Sequence, residues 1–289
     1  MKPAPFDYYA PATVEAACQL LTEAGGGATI LAGGQTLMPL LALRMSQPFV
    51  LIDITRIAAL KGVSRIDGGL RIGPTLRQNE AIADTTLHQV QPLIVTAARH
   101  VGHHQTRNRG TIGGSIALGE PAAELPATAV ALGASVEVRS TRGHRRIAAE
   151  DLYFGPYATA LEPDELLTAI DVPDWPKGTT PVFREIAQRP GDFALVGLTG
   201  ALTVCDGRIT RAGLAWFGMG PTPIKARQAE RALVGQTVAG LDLQGIAELA
   251  IADTAPFDDL HTTAEYRRTV GRRVFAAALK DALHQRPAA

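Results

Sequence analysis

Two double-glycine motifs constrain this chain more than any other feature of its sequence. The first, Ala32-Gly33-Gly34-Gln35-Thr36, follows a short apolar run, and the second is Thr111-Ile112-Gly113-Gly114-Ser115. Glycine accepts positive φ and allows a ligand to approach the backbone closely, and successive N–H groups in such a turn form an anion-binding concavity. Two turns of this kind can hold one diphosphate from two sides. The pair therefore predicts a dinucleotide site, with flavin as the leading candidate.

The sequence lacks two other common nucleotide-binding motifs. No Lys follows either glycine pair, which excludes the phosphate loop of nucleoside triphosphatases. The pattern G-x-G-x-x-G does not occur, which argues against an ordinary Rossmann site. For the first motif taken alone, a tight structural turn is the alternative interpretation.

Two acidic residues, Glu120 and Glu124, follow the second motif. A carboxylate at this point can accept hydrogen bonds from ribityl or ribose hydroxyls. For Glu120, a charge that complements the dipole at a helix N-terminus is an equally good interpretation.

The overall composition is that of a globular protein with a sizeable core. Of 289 residues, 46% are hydrophobic and 19% are charged, which suits one large domain or two smaller ones. The formal net charge is zero, so we expect no nucleic-acid or membrane partner. No apolar run reaches the ~18 residues of a membrane span, and the first residues lack a signal-peptide pattern. We therefore expect a cytoplasmic location.

The cysteines limit the redox groups that the chain can hold. There are two, Cys18 and Cys205, whereas a [2Fe–2S] cluster normally needs four thiolates. Cys18 falls at helical spacing with Val14 and Leu21, which indicates a small core residue. Any iron–sulfur cluster that works with this chain must therefore lie on another chain.

Local patterns predict both helices and strands along the chain. Helices are predicted near 14–24, 37–44, 92–101, 121–132, 225–234, 242–254 and 263–285. Strands are predicted near 28–32, 49–54, 135–140, 145–148, 193–204 and 208–217, with hairpin turns at Gly68-Gly69 and Asp206-Gly207. Thr75 and Gln78 suggest a capping box. The first elements of the chain predict a βαβ-like unit. The Pro and Gly residues between 173 and 181 indicate a domain boundary. The whole pattern of elements is typical of an α+β fold.

Other candidate chemistry is weak. His100, His103 and His104 cluster before the second motif, but no carboxylate or Cys completes a tetrahedral metal site nearby. Asp192 beside Gly191 is typical of a turn. We therefore predict no metal site and no catalytic residue in this chain.

The chain resembles the FAD-binding medium subunits of the molybdenum hydroxylases, the xanthine dehydrogenase and carbon monoxide dehydrogenase superfamily. The matching elements run in family order: Phe6-Asp7-Tyr8, 31–37, Arg44, 107–117, 121–126, Glu165-Leu166-Leu167 and Gly191-Asp192-Phe193-Ala194. The resemblance implies an α+β fold, in which a two-subdomain FAD-binding domain of the vanillyl-alcohol oxidase type precedes a smaller α+β C-terminal domain. We expect the first domain at 1–177, split near 55–60, and the second at 178–289.

The resemblance also implies where FAD would be held, without a covalent bond. The diphosphate would lie between the glycine motifs, Glu124 matches an acidic position that contacts the cofactor, and Leu167 matches a position near the flavin end. Some relatives carry Tyr at Phe193, so the hydroxyl of that Tyr is absent here. The implied cofactor-binding residues are Ala32, Gly33, Gly34, Gln35, Thr36, Leu37, Val101, Thr111, Gly113, Gly114, Ser115, Glu124, Leu167 and Phe193.

Three functions are open at this point. The first is an electron-transfer subunit that works with a small iron–sulfur subunit and a large molybdopterin subunit, in a dimer of heterotrimers. Molybdopterin and the [2Fe–2S] clusters would then lie only on those partners. The second is a self-sufficient flavin oxidase or reductase of the same fold, and the third is a scaffold subunit that has lost FAD. The resemblance favours the first and leaves the organic substrate and the electron acceptor open.

Overall fold

Three short parallel strands form the first layer of the fold. The computed structural model describes residues 2–284. Strands and helices alternate at its start: β1 (Asp7–Tyr9), α1 (Val14–Ala24), β2 (Ala28–Leu31), α2 (Leu37–Ala42) and β3 (Val50–Asp53). The strand order is β1-β3-β2. This is the predicted βαβ-like opening, and it places the first glycine motif between β2 and α2.

Helix α1 forms where the local signals predict it. The hydroxyl of Thr13 accepts the N–H of Ala16 at 3.2 Å, and Gly25, with φ +56°, ends the helix. The buried face of the helix consists of Val14, Ala17, Cys18 and Leu21. Cys18 is therefore a core residue, as its spacing predicts.

A five-stranded antiparallel sheet forms the second layer. After β3 the chain forms β4 (Val63–Ile66), β5 (Gly69–Ile72), β6 (Ser135–Ser140), β7 (Gly143–Ala148), the hairpin of β8 (Tyr153–Gly155) and β9 (Ala158–Thr159), and β10 (Leu166–Pro173). The order β4-β5-β10-β6-β7 places β10 at the centre. The connection from β5 to β6 contains α3 (Gln78–Ala83), α4 (Thr85–Val90), α5 (Pro92–His100), α6 (His104–Arg107), α7 (Ile112–Leu118) and α8 (Glu124–Leu132).

A second antiparallel sheet, with three helices, forms the C-terminal part. Its strands, in the order in which they pair, are β11 (Thr179–Ile186), β12 (Val196–Cys205), β13 (Arg208–Phe217) and β14 (Ile224–Lys225). The helices are α9 (Arg227–Leu233), α10 (Leu243–Ala252) and α11 (Ala264–His284). The last residue of the predicted final helix, 285, lies outside the described residues.

The two parts of the chain share a hydrophobic core. Ala201, Ala215 and Phe217 of the C-terminal sheet belong to the same buried cluster as Ile94 of α5 and Leu125 of α8. The other face of that sheet packs on α9, α10 and α11. The start of α8 and the loop before β12 are thereby held close to one another.

The α+β fold class is confirmed, and most predicted elements are present. The Asp206-Gly207 hairpin forms with positive φ at both residues. The predicted capping box at Thr75 is wrong, because the Thr75 hydroxyl donates to the carbonyl of Leu60 at 2.7 Å. One half of such a box is present at Arg77, the N-cap of α3, whose backbone N–H donates to the Glu80 carboxylate at 2.9 Å.

Among residues 2–284, no helix combines the length and the apolarity needed to cross a membrane.

Candidate functional site

The structure brings the first glycine motif against Arg109 and Gly110, directly before the second motif. A Cβ built on Gly33 would lie 2.4 Å from the carbonyl oxygen of Arg109 and 2.7 Å from the Cα of Gly110. A Cβ built on Gly114 would lie 3.9 Å from the Cβ of Ala32. The loop after β2 and the start of α7 therefore border the same site.

The first motif presents a run of unpaired backbone donors. Gly34 has φ +71°, which glycine adopts without strain, and Nε2 of Gln35 donates to the carbonyl of Gly33 at 3.1 Å. Within the part of the chain that the structure describes, the N–H groups of Gly33, Gly34, Gln35 and Thr36 donate to no protein acceptor. Consecutive free N–H groups suit an anion such as a diphosphate. Leu37 follows them as the first residue of α2.

The second motif is the first turn of a helix, so the expectation of a positive-φ turn is wrong there. Thr111 is the N-cap of α7, and its Oγ1 accepts the N–H of Gly114 at 3.0 Å. Gly113 donates its N–H to the carbonyl of Pro74 at 2.9 Å, and a Cβ on Gly113 would lie 2.3 Å from the Cβ of Pro74. The space that Gly113 leaves is therefore filled by the protein and is not available to a ligand.

The second motif offers a side-chain hydroxyl to the site. The N–H of Ser115 donates to the carbonyl of Thr111 at 3.2 Å, whereas its hydroxyl makes no hydrogen bond to any residue that the structure describes. Thr111 is only 4% exposed, and its hydroxyl is engaged in the cap. The two motifs thus contribute in different ways, the first by backbone N–H groups and the second by Ser115.

The two carboxylates after the second motif have different environments. Glu120 accepts the N–H of Ala122 at 3.0 Å and the hydroxyl proton of Tyr157, so it stabilises the segment before α8. Glu124 is the first residue of α8 and is 4% exposed. Burial raises the pKa of Glu124 to about 8, and the charges of Glu185 and Glu120 add to this rise. Glu124 is therefore largely protonated at neutral pH.

Three further predicted residues lie on different elements. Val101 ends α5, and its carbonyl accepts a hydrogen bond from Nη1 of Arg107 at 3.0 Å. Leu167 is buried on β10, at an irregularity in its pairing with β6. Phe193 lies in the loop between β11 and β12, and its side chain is 60% exposed. That loop contacts His103, since a Cβ built on Gly191 would lie 2.6 Å from the His103 ring.

The histidine cluster has structural contacts. The ring of His100 stacks on Phe183 with 4.3 Å between centroids, and its Nδ1 lies 2.9 Å from the carbonyl of Thr96. Among residues 2–284, no group of three or more His, Cys, Asp or Glu side chains is arranged to hold a metal ion.

Sequence reasoning missed one residue of this region, Glu185. It lies on β11, and its Oε2 is buried without a hydrogen-bond partner among residues 2–284. Burial raises the pKa of Glu185 to about 7. No local signal pointed to Glu185, because the pattern over 179–186 does not predict a strand.

Comparison with known proteins gives the family. Residues 4–175 match the family model described as the FAD binding domain in molybdopterin dehydrogenase, and residues 181–282 match the CO dehydrogenase flavoprotein C-terminal domain. The chain is 37% identical to the 6-hydroxypseudooxynicotine dehydrogenase complex subunit alpha of Paenarthrobacter nicotinovorans, over 99% of this chain and 97% of that one.

Solved structures agree with these matches. A chain of the carbon monoxide dehydrogenase from Hydrogenophaga pseudoflava that lacks the Mo-pyranopterin moiety of its cofactor superposes with a TM-score of 0.96 at 33% identity, covering 99% of this chain and 100% of that one. The reconstituted CO dehydrogenase from Oligotropha carboxidovorans gives 0.96 at 34% identity, with the same coverage. This chain, an oxidoreductase subunit with an FAD-binding domain, therefore belongs to the family of FAD-binding medium subunits of the molybdenum hydroxylases.

Proposed function

We propose that this chain is the electron-transfer flavoprotein of a three-subunit molybdenum hydroxylase. It takes electrons from iron–sulfur clusters on a partner subunit and passes them to an external acceptor. FAD, when bound, supplies the conversion between two-electron and one-electron transfer. The organic substrate is oxidised on another chain.

The free N–H groups of the first glycine motif are the observation that carries this proposal. Four consecutive donors, from Gly33 to Thr36, have no acceptor among the described residues and lie beside the second motif. Neither motif contains Lys or Arg, so backbone dipoles supply the attraction for the diphosphate. Neither motif contains His or Cys, which supports non-covalent binding. On these donors, FAD fits the site.

We assign the remaining roles by position. Ala32, Gly33 and Gly114 lie where the two motifs approach one another, Gly34 provides the positive φ of the first motif, and Gly113 seats α7 on Pro74. Residues proposed to offer polar contacts to FAD are Gln35, Thr36, Ser115 and Glu124, whereas Thr111 is proposed to act through its cap of α7. Residues proposed to pack against FAD are Leu37, Val101, Leu167 and Phe193.

Partner subunits follow from what this chain lacks. Its two cysteines cannot ligate a [2Fe–2S] cluster, which needs four thiolates, and within residues 2–284 no side-chain group is arranged for a metal ion. We therefore assign the clusters to a small subunit and molybdopterin to a large subunit, in a dimer of heterotrimers. The chain's own contribution is to bind FAD and hold it within electron-transfer distance of the small subunit.

Stopped-flow spectroscopy tests the assignment. The full chain, prepared alone and with its two partner chains, is mixed with purine, N-heteroaromatic, aldehyde and carbon monoxide substrates in separate runs. We expect substrate to bleach the flavin only in the three-chain complex. In the complex that lacks this chain, we expect substrate to reduce the iron–sulfur clusters alone. Rapid, stoichiometric bleaching of flavin by an organic substrate in the lone chain would instead support a self-sufficient flavoenzyme. Absence of flavin from the complex would support a scaffold subunit.

A further inference from the structure

A buried carboxyl, Glu124, and a partly buried one, Glu185, lie where α8 packs on the C-terminal sheet. Glu185 on β11 pairs with Gly197 on β12, and Gly197 pairs with Phe217 on β13. The next residue, Gly218, donates its N–H to the carbonyl of Pro121 at 2.9 Å. These strand pairings and this hydrogen bond together place Glu185 near the start of α8.

A second contact fixes the same geometry from the helix side. The hydroxyls of Thr128 on α8 and Thr199 on β12 lie 3.0 Å apart. Glu124 precedes Thr128 by one helical turn, and Gly197 lies on the same face of β12 as Thr199. Glu124 is therefore the neighbour of Glu185, and the negative charge of Glu185 raises the pKa of Glu124.

Within residues 2–284, neither carboxyl has a counter-cation. Oε2 of Glu185 is buried and receives no hydrogen bond from a described residue. The carboxyl of Glu124, at 4% exposure, enters no ion pair there, and a hydrogen bond from its own backbone is the contact that lowers its pKa. Arg184 adjoins Glu185 in sequence but pairs with Asp281 of α11, at 3.2 Å. A buried carboxylate without a partner is costly, so such a group takes up a proton instead.

The elements packed around Glu124 and Glu185 do not change the preference of these carboxyls for the protonated form. The titratable groups with contacts on those elements are Glu120, which acts on Glu124, Tyr157, which bonds to Glu120, His100, which stacks on Phe183, and His103, which lies beside Gly191. Glu120 is acidic and raises the pKa of Glu124 further, and it is already bonded to Tyr157. His100 is occupied by Phe183 and by a backbone carbonyl. The residues that β12 and β13 contribute, Gly197, Thr199 and Phe217, do not titrate.

We propose that Glu185 is a further positioning residue of the flavin site, which with Glu124 holds a proton there and presents a neutral carboxyl O–H to acceptor atoms of FAD. This inference rests on the proposed function, because the ligand is the cofactor assigned above. A protonated carboxyl can donate a hydrogen bond, and an ionised one cannot. The proton also removes one of the two negative charges of the pair, which lowers the repulsion of the dianionic diphosphate. The C-terminal sheet thereby contributes to cofactor binding.

The pH dependence of FAD affinity tests the proposal. The dissociation constant is measured by flavin fluorescence on the full chain with its co-purified partner chains, from about pH 6 to about pH 9. We expect the affinity of the wild-type protein to fall by about tenfold or more across this range, because ionisation removes the donor and adds charge. Glu185→Gln keeps a neutral amide with N–H donors. We therefore expect it to bind FAD with a clearly flatter pH profile.

Two further variants make the outcome decisive. Glu124→Gln should flatten the profile in the same way, and it serves as the second test if Glu185→Gln fails to fold by circular dichroism. Glu248→Gln changes a carboxylate that is 59% exposed on α10, and it should keep the wild-type profile. If FAD affinity depends steeply on pH in both variants, or does not depend on pH in the wild type, the proposal of a shared proton is wrong. Absence of FAD binding by the wild type at every pH would overturn the proposed function itself.

Discussion

Gly33 packs against Arg109 so closely that a Cβ on the glycine would lie 2.4 Å from the carbonyl oxygen of the arginine. The first glycine motif therefore needs its glycine for contact with the residues directly before the second motif. The sequence alone suggested a different reason, namely positive φ and approach of a ligand. Positive φ occurs at Gly34, and not at Gly33, Gly113 or Gly114.

Replacing Gly33 with Ala should therefore lower both stability and FAD content. The added methyl group forces the two motifs apart, and overpacking of this kind typically costs about 1–3 kcal/mol. Urea unfolding and flavin absorbance of the purified complex measure the two effects. Gly155→Ala is the matched control, because its Cβ would meet only Ala158, at 4.0 Å. Equal stability and flavin content in both variants would contradict the close packing.

Removing the hydroxyl of Thr111 and removing that of Ser115 should have different effects on stability and on FAD binding. Thr111→Ala removes the N-cap of α7, so the free energy of unfolding should fall by about 1 kcal/mol. Ser115→Ala removes a hydroxyl that bonds to no described residue, so it should leave stability unchanged and weaken FAD binding. Thermal unfolding of the FAD-free protein and FAD titration measure these outcomes. A loss of stability in Ser115→Ala, with FAD affinity unchanged, would assign this hydroxyl a structural role.

Glu124 should make the FAD-free protein less stable as the pH rises. The pKa of Glu124 is about 8 in the folded state, against 4.5 for an unperturbed Glu. The folded state therefore binds more protons between these values, and its stability is highest below about pH 4.5 and falls up to about pH 8. Glu124→Gln should remove this slope and add roughly 2–5 kcal/mol above about pH 8. Urea titrations at several pH values measure the slope, and the exposed Glu248→Gln should leave it intact.

Elements with strong local signals were predictable from the sequence. Helix α1 has a Thr cap, helical spacing of apolar residues and a terminal glycine. The β12–β13 hairpin has the Asp206-Gly207 turn between two apolar runs. In both, neighbours along the chain decide the structure, so a local pattern is sufficient.

Elements that depend on distant partners were not predictable. Strand β10 lies between β5 and β6, whose residues come from distant parts of the chain. Strand β11 begins within the Pro- and Gly-rich stretch 173–181, and these residue types do not give the sequence pattern of a strand. Since Glu185 lies on β11, its role at the site was hidden as well.

The second glycine motif shows the same limit at a smaller scale. Two adjacent glycines have poor helix propensity, so the motif reads as a turn in isolation. The Thr111 cap and the contact of Gly113 with Pro74 make it a helix start instead. The cofactor contacts and the domain boundary near 177 stay predictions, for which the variants above and FAD titration provide tests.

Arg267 should be the most sensitive charged residue of the C-terminal part. It is 4% exposed on α11 and donates to the carbonyls of Leu195 and Gly218 and to the carboxylate of Asp259. Arg267→Ala leaves the carbonyls of Leu195 and Gly218 without their donor, which typically costs about 1–3 kcal/mol for each buried acceptor. Leu195 closes the loop that carries Phe193, so the variant should also bind FAD more weakly.

The same helix provides the control for Arg267. Arg272 forms an ion pair with Glu248 at 2.7 Å, but the two side chains are 36% and 59% exposed. An exposed pair contributes about 1 kcal/mol or less, so Arg272→Ala should change urea unfolding little. Limited proteolysis of the 187–194 loop then separates local from global effects. We expect faster cleavage there in Arg267→Ala than in Arg272→Ala at a denaturant concentration where both remain folded. Equal cleavage rates, together with equal free energies of unfolding, would show that the buried arginine does not anchor this loop.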